Sequence, residues 1–443
     1  MNAAGATICS ILVLVVLIAP RRWALLGMIA GALFLTERQQ VSVGGINFYS
    51  IRFLELAGFV RVMSRAEFSF RSCNRIDRAL IFLYVYTAVV FCLRSAEGQA
   101  YIIGNSVDAF LCYFTFRGLV RDASELKLFL RDFIMLLLPY AAMILYESMT
   151  HRNAFAFIDG GMYNWVRGNR FRSVGTFRNP DTLGTLGAVF APLYFAIAFA
   201  QRERKLPIFG MLLCLCIVWG SNSGGPLCAT AVSFVAWGFW RMRTRMQTVR
   251  RTMAAILILL ACVMKAPIWF LLARASSVAG GDGWHRAQLI SVAFKHLNLW
   301  WFAGMPLSDT SEWFEYSIGG AADITNTFLS FGLNAGMGAI IVLVLLLVRT
   351  FSGLGKALNS VRSNGQEDDY REAMLWGLGA ALMAHIANWQ GIVYFDQSYM
   401  VWFLQLAAMT SVSSACIEAD EAETVRVSPV EEVHASRGEE VRI

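Results

Sequence analysis

Residues 327–349 read TFLSFGLNAGMGAIIVLVLLLVR, and no ionisable side chain interrupts them before Arg349. A helix needs roughly 20 predominantly apolar residues to cross the hydrocarbon core of a bilayer. In lipid each backbone amide must be satisfied within its own segment, so the stretch is read as a membrane helix. Outward from it the same pattern recurs. Apolar segments fall at 5–19, 22–36, 46–64, 79–95, 100–120, 131–149, 183–200, 207–222, 226–240, 252–273, 372–390 and 393–412. Arg52, Glu55 and Arg61 interrupt the segment 46–64, so the expected count is twelve or thirteen helices.

The composition agrees. Of the 443 residues 57% are hydrophobic and 16% charged, where a soluble domain carries about 25% charged residues. The period-two alternation of a membrane barrel is missing, which leaves an all-α, polytopic bundle. The net charge of +7 does not point to nucleic acid, because the basic residues stand in short loops beside apolar segments. Arg65, Arg71, Arg75 and Arg78 lie in one such loop, Arg117, Arg121, Lys127 and Arg131 in the next. Arg202, Arg204 and Lys205 follow, then Arg241, Arg243, Arg245, Arg250 and Arg251. Their alternation puts all four loops on one side, the cytoplasmic one.

The chain therefore divides into N-terminal helices (1–149), a first outer loop (150–182), central helices (183–273), a second outer loop (274–326), C-terminal helices (327–412) and an acidic tail (413–443). The tail is expected to be disordered and cytoplasmic. The first apolar run lacks a basic region before it and a small-residue cleavage site after it, so it is expected to be retained. Neither outer loop holds a cysteine, and no His spacing suits zinc, so neither disulfides nor a metal site is expected.

The first outer loop carries Arg152, Arg167, Arg170, Arg172 and Arg178 against Asp159 and Asp181. A basic loop outside runs against the positive-inside rule, so another factor must favour it. The guanidinium group grips phosphate oxygens with a planar fork. Glycines 160, 161, 168 and 175 let backbone N–H groups approach an anion, and Asn179-Pro180-Asp181 opens the next helix, whose positive end would face the same site.

The stretch RSVGTFRNPDTLG (172–184) resembles the motif of the bacterial O-antigen ligase/polymerase superfamily. There an Arg, a Gly-Thr-Phe and an Asn-Pro-Asn lead into a helix; Asp181 stands in place of the second Asn. The resemblance implies a GT-C-like helical fold with periplasmic loops in the bacterial inner membrane. It also implies metal-independent and cofactor-free transfer of a glycan from an undecaprenyl-diphosphate carrier to an acceptor sugar. Membrane lipids and a chain-length or export complex would be its partners. The turn GSNSGGP (220–226) matches a family Ser-x-Ser-Arg-Gly in part, with Gly224 in place of the Arg.

In the second outer loop, Trp284 to Trp301 has apolar residues at helical spacing and reads as an interfacial amphipathic helix with Trp300 and Trp301 at headgroup level. By resemblance, Arg286 opens the family's second-loop helix and Gly304-Met305-Pro306 follow it. Arg172 and Arg286 are thus the leading diphosphate ligands, with Arg170, Arg178 and Asn179 in support. Family ligases carry His-Asn before the next helix; Asn326 and Gly336 keep that spacing, but Thr325 replaces the His. A threonine is no general base near neutral pH. Asp323 is then the local candidate for acting on the acceptor, with Asn326 to position it, and His285, Glu312 and Glu315 behind it. Without the His, a polysaccharide polymerase is preferred to a ligase. A transporter for an anionic glycolipid is the alternative from another class.

Overall fold

The structure, a computed structural model, describes residues 1–43, 46–159, 165–167, 169–280, 282–313, 321–363 and 369–438. The chain begins with α1 (Ala3–Ile18) and α2 (Arg21–Phe34), then an antiparallel hairpin of β1 (Gln40–Val43) and β2 (Ile46–Tyr49). The helices α3 (Ser50–Ser64), α4 (Arg75–Arg94), α5 (Gln99–Leu119), α6 (Ala123–Thr150) and α7 (Ala156–Asp159) follow. A second hairpin pairs β3 (Trp165–Arg167) with β4 (Arg170–Arg172). Next come α8 (Pro180–Ala200), α9 (Lys205–Ser221), α10 (Gly224–Gly238), α11 (Met246–Val263) and α12 (Leu271–Ala279). The last five are α13 (Gly283–Lys295), α14 (Leu297–Trp300), α15 (Thr327–Ser363), α16 (Asp369–Asn388) and α17 (Ser398–Gly438).

The fold is an all-α bundle. Among the described residues six helical stretches are long and apolar enough to cross a membrane: α4, α6, α8, the run Gly224–Val263, α15, and Ser398–Asp420 of α17. The shorter apolar helices α1 and α9 add to them. At the centre lies α8, packed between α9, α10 and α16, with 83% of its apolar window buried. Lipid tails are as apolar as leucine, so burial alone does not hold such helices together; close van der Waals packing of small residues does. Gly187 shows it: a Cβ there would stand 2.2 Å from the Cys214 carbonyl oxygen of α9.

The structure departs from the sequence reading in four places. The segment 46–64 starts with a β-strand paired to β1, and the helix begins only at Ser50. The segment 252–273 is not one helix: α11 ends at Val263 and the chain re-forms a short helical stretch only after Pro267, which fixes an extended bend. The last helix starts at Ser398 rather than 393, and α17 runs on through the acidic stretch expected as a tail. Ala, Glu and Asp alternate there, and Ala and Glu are good helix formers. Finally, Trp300 is 2% exposed, not at a headgroup surface. Its indole donates to the Ala293 carbonyl and packs with Leu289, Met305 and Leu333.

Many of the ion pairs and polar hydrogen bonds fall into two groups. At one end Arg21 meets Glu67 and Glu125, Arg22 meets Asp132, Arg117 meets Asp77, and Arg243 and Arg362 meet Glu372. Asn74 bonds Ser414 and Tyr370 bonds the Ala123 carbonyl at that same end. These are the residues whose basic loops the charge pattern assigns to one side. At the other end Asn2 and Gln39 both donate to the Ile158 carbonyl, Asn222 donates to the Phe171 carbonyl, and Arg167 pairs with Asp282 at 3.0 Å. Both outer loops and the first residues of the chain thus sit together.

Candidate functional site

Arg172 ends β4, and the chain beyond it is pinned from two sides. The Glu147 carboxylate of α6 accepts from the Val174 and Gly175 N–H groups at 3.0 and 2.9 Å. The Ser173 N–H donates to the Gly220 carbonyl at the end of α9. This stitching carries Arg172 inward until 8% of it stays exposed. Its Nη2 stands 3.5 Å from Asp181 Oδ2, and its Nε is buried with no hydrogen-bond partner. Burial lowers the pKa of this guanidinium; Asp181 works against that, and the nearby Arg167 and Arg286 add to it.

Arg286 arrives from the other loop. Asp282 caps α13 by accepting from the His285 N–H at 3.2 Å, which sets Arg286 in the first turn. Its guanidinium lies against the backbone of Gly391, just past α16: a Cβ there would stand 2.4–2.7 Å from three guanidinium atoms. Gly225, in the first turn of α10, sits among the remaining members. A Cβ on it would lie 3.3 Å from both Asp181 Oδ1 and Asn388 Oδ1, and 3.6 Å from Arg286 Nη2. Asp181 also accepts from the Ser223 hydroxyl. Asn388, 1% exposed, donates to Thr185 while its Oδ1 has no partner.

So two arginines from different loops meet beside the N-termini of α8 and α10, whose dipoles present partial positive charge. The buried Arg172 Nε–H has no hydrogen-bond partner. The arrangement suits an anion with several oxygens. Asp181 is the only carboxylate inside the cluster among the described residues, and it orients Arg172 and Ser223.

Beside this cluster lies a cavity of about 1170 Å³. Leu80, Leu83, Phe91, Phe331 and Phe403 line it together with the charged Glu37, Arg178, Asp323 and Asp396. Asn179 and Trp389 line it too, and they are close chain neighbours of Asp181 and Asn388. Cluster and cavity therefore share a wall.

The other expected site residues are divided between these two places. Arg170 is exposed on the hairpin and joins neither. Arg178 stands at the cavity, not with Arg172: it pairs with Glu37 at 3.0 Å and covers the Phe395 ring. Asn179, and not Asp181, caps α8, because Pro180 has no N–H and the Asn179 oxygen takes the Asp181 N–H at 2.8 Å. Asn326 is buried and spends its oxygen capping α15 through the Leu329 N–H, while its amide donates to Gln390. That leaves the exposed Asp323 free of the capping role and on the cavity wall. Thr325 Oγ1 is buried without a partner. Glu312 is exposed, and Glu315 lies outside the described residues.

Ser223, Asn388, Gly391, Glu37 and Asp396 were not among the expected site residues. Each stands in a short connection or, for Asn388, at a helix end, where its meaning depends on what it meets in space. His385, by contrast, is a satisfied buried group, held by Tyr394 at 2.8 Å and Gln405 at 3.0 Å. Comparison with protein-family models, curated proteins and solved structures finds no match.

Proposed function

We propose that the chain is a multi-pass protein of the bacterial inner membrane that polymerises a cell-surface polysaccharide. In this reading the apolar helices cross the bilayer and the end bearing both outer loops faces the periplasm. The donor is a glycan on undecaprenyl diphosphate and the acceptor is another glycan. The observation that carries the reading is the meeting of Arg172 and Arg286, picked out separately in the sequence, around Asp181, Gly225 and Gly391.

The chemistry follows from the charges. Transfer breaks the bond between the anomeric carbon and the phosphate oxygen, and the electron pair goes to that oxygen. Arg172 and Arg286 are fixed, poorly hydrated cations aimed at the leaving diphosphate. Such preorganised charge stabilises what develops in the transition state at no reorganisation cost. The acceptor hydroxyl, held in the neighbouring cavity, forms the new bond to the anomeric carbon as its proton departs. Arg170 has no part in this; Arg178 and Asn179 belong to the acceptor side.

The test is complementation of a deletion strain. Arg172→Ala and Arg286→Ala should each abolish polymer and leave single lipid-linked repeats on the periplasmic face. Polymer of unchanged length and yield from either variant overturns the reading. One observation favours transport of an anionic glycolipid instead: Arg52 and Asp108 pair at 2.7 Å on the cavity wall, beside the fully buried Glu55. Charges inside a bundle mark transport pathways in many membrane proteins. Repeats trapped on the cytoplasmic leaflet in the variants would choose that account.

A further inference from the structure

Gln397 is 3% exposed, and its amide donates to the Thr176 carbonyl at 2.8 Å and the Leu35 carbonyl at 3.3 Å. One side chain thus ties together three connections: the end of α2, the end of the first outer loop and the start of α17. A charged residue stands next to each tie. Glu37 lies two residues after Leu35, Arg178 two after Thr176, and Asp396 immediately before Gln397. All three line the cavity, and Arg178 pairs with Glu37 at 3.0 Å. Asp396 is held there with φ of 50°, a left-handed conformation that only a well-determined loop imposes on a non-glycine residue. Its Oδ2 is buried without a hydrogen-bond partner.

We propose that Asp396, poised by Glu37 and Arg178, takes the proton from the acceptor hydroxyl and so fills the role that Thr325 cannot. This inference rests on the glycan-transfer reading. In the step, the acceptor O–H proton passes to the Asp396 carboxylate and the acceptor oxygen bonds to the anomeric carbon. The bond from that carbon to the diphosphate oxygen breaks, and the lipid diphosphate leaves with the electron pair. Arg178 pairs with Glu37 at 3.0 Å, which leaves Asp396 to take the proton.

The titration of Asp396 suits the task. Burial and then the Glu37 carboxylate raise its pKa to about 7, and Arg178 works against them. A base poised near the working pH is the most effective one. The other charged groups along the cavity, Arg52, Arg94, Glu97, Asp108 and Asp323, do not contribute to that shift. Activity should therefore rise with pH through about 7, as Asp396 loses its proton.

The experiment uses the full-length protein in detergent with lipid-diphosphate glycan extracted from the native host lacking this chain. Asp396→Asn keeps the shape and tolerates the left-handed backbone. It should lower kcat by about 100-fold, leave KM for the donor unchanged and remove the acid limb. Glu37→Gln removes the like charge, so it should move the limb to lower pH. Thermal melting checks that both variants fold. If Arg172→Ala polymerises like wild type, the glycan-transfer reading itself fails. If Arg172→Ala is inactive but Asp396→Asn keeps the wild-type rate and limb, only the role of Asp396 is overturned.

Discussion

Gly391 shows how one missing side chain shapes the site, since the Arg286 guanidinium occupies the space a Cβ would need. The clash in Gly391→Ala is with the far end of a flexible side chain, so the fold should hold while Arg286 is pushed away. The expected result is a loss of polymer in the complementation assay with thermal stability within about 0.5 kcal/mol of wild type, as for substitutions that touch no packed core. A large fall in stability would instead make Gly391 a packing residue. Arg172→Lys keeps the charge but gives up the planar fork and the unspent Nε–H. It should retain a residual activity between those of wild type and Arg172→Ala; full activity from lysine would mean that only charge matters there. At this scale the sequence was informative where a residue sits in a recognisable string. Arg172 was legible beside Gly-Thr-Phe and Asn-Pro, and Arg286 at the start of its helix. Glu37 and Asp396 were not, because they are single acids in different connections, joined only by the Gln397 ties.

Among the elements, α15 does more than cross the bundle. It breaks at Ala335 and Gly336, where Gly336 has φ of 77° and a Cβ would lie 2.3 Å from the Phe302 carbonyl oxygen. The loop after α14 packs into this break: the Met305 N–H donates to the Leu333 carbonyl and the Met337 N–H to the Trp301 carbonyl. That contact fixes Met305 to Leu307 on the cavity wall. Gly336→Ala meets backbone and a disfavoured φ at once, so it should cost about 1–3 kcal/mol, read as a lower melting temperature. A variant that melts with wild type would show that the break is not needed. Helix positions were legible because apolar runs must be helical in lipid. The hairpin at 40–49 had its own signal, Gly-Gly between alternating residues, which a window tuned to membrane helices passes over. The end of α11 was signalled by Pro267, set in an apolar context that masked it.

Across the whole molecule, the two polar ends argue for one orientation. The ion pairs of Arg21, Arg22, Arg117, Arg243 and Arg362 fall in one group, and the bonds that join the two loops and the chain start fall in another. The turn at Asn169, between β3 and β4, should face the periplasm, and Arg202, between α8 and α9, the cytoplasm. In a chain with its nine native cysteines replaced, a cysteine at 169 should react with a membrane-impermeant maleimide in intact spheroplasts. One at 202 should react only after lysis. The reverse pattern would put both arginines on the wrong leaflet for a periplasmic reaction.

If Arg172 and Arg286 together hold a lipid diphosphate, binding reveals it without any knowledge of the sugar. The most direct measurement is the affinity of undecaprenyl diphosphate for the purified protein in nanodiscs, for wild type, each alanine variant and the double variant. Each single variant should lose at least tenfold in affinity, equivalent to about 1.4 kcal/mol, and the double variant should be weaker by less than the product of the two. Equal affinity in all four proteins would contradict joint binding by the two arginines.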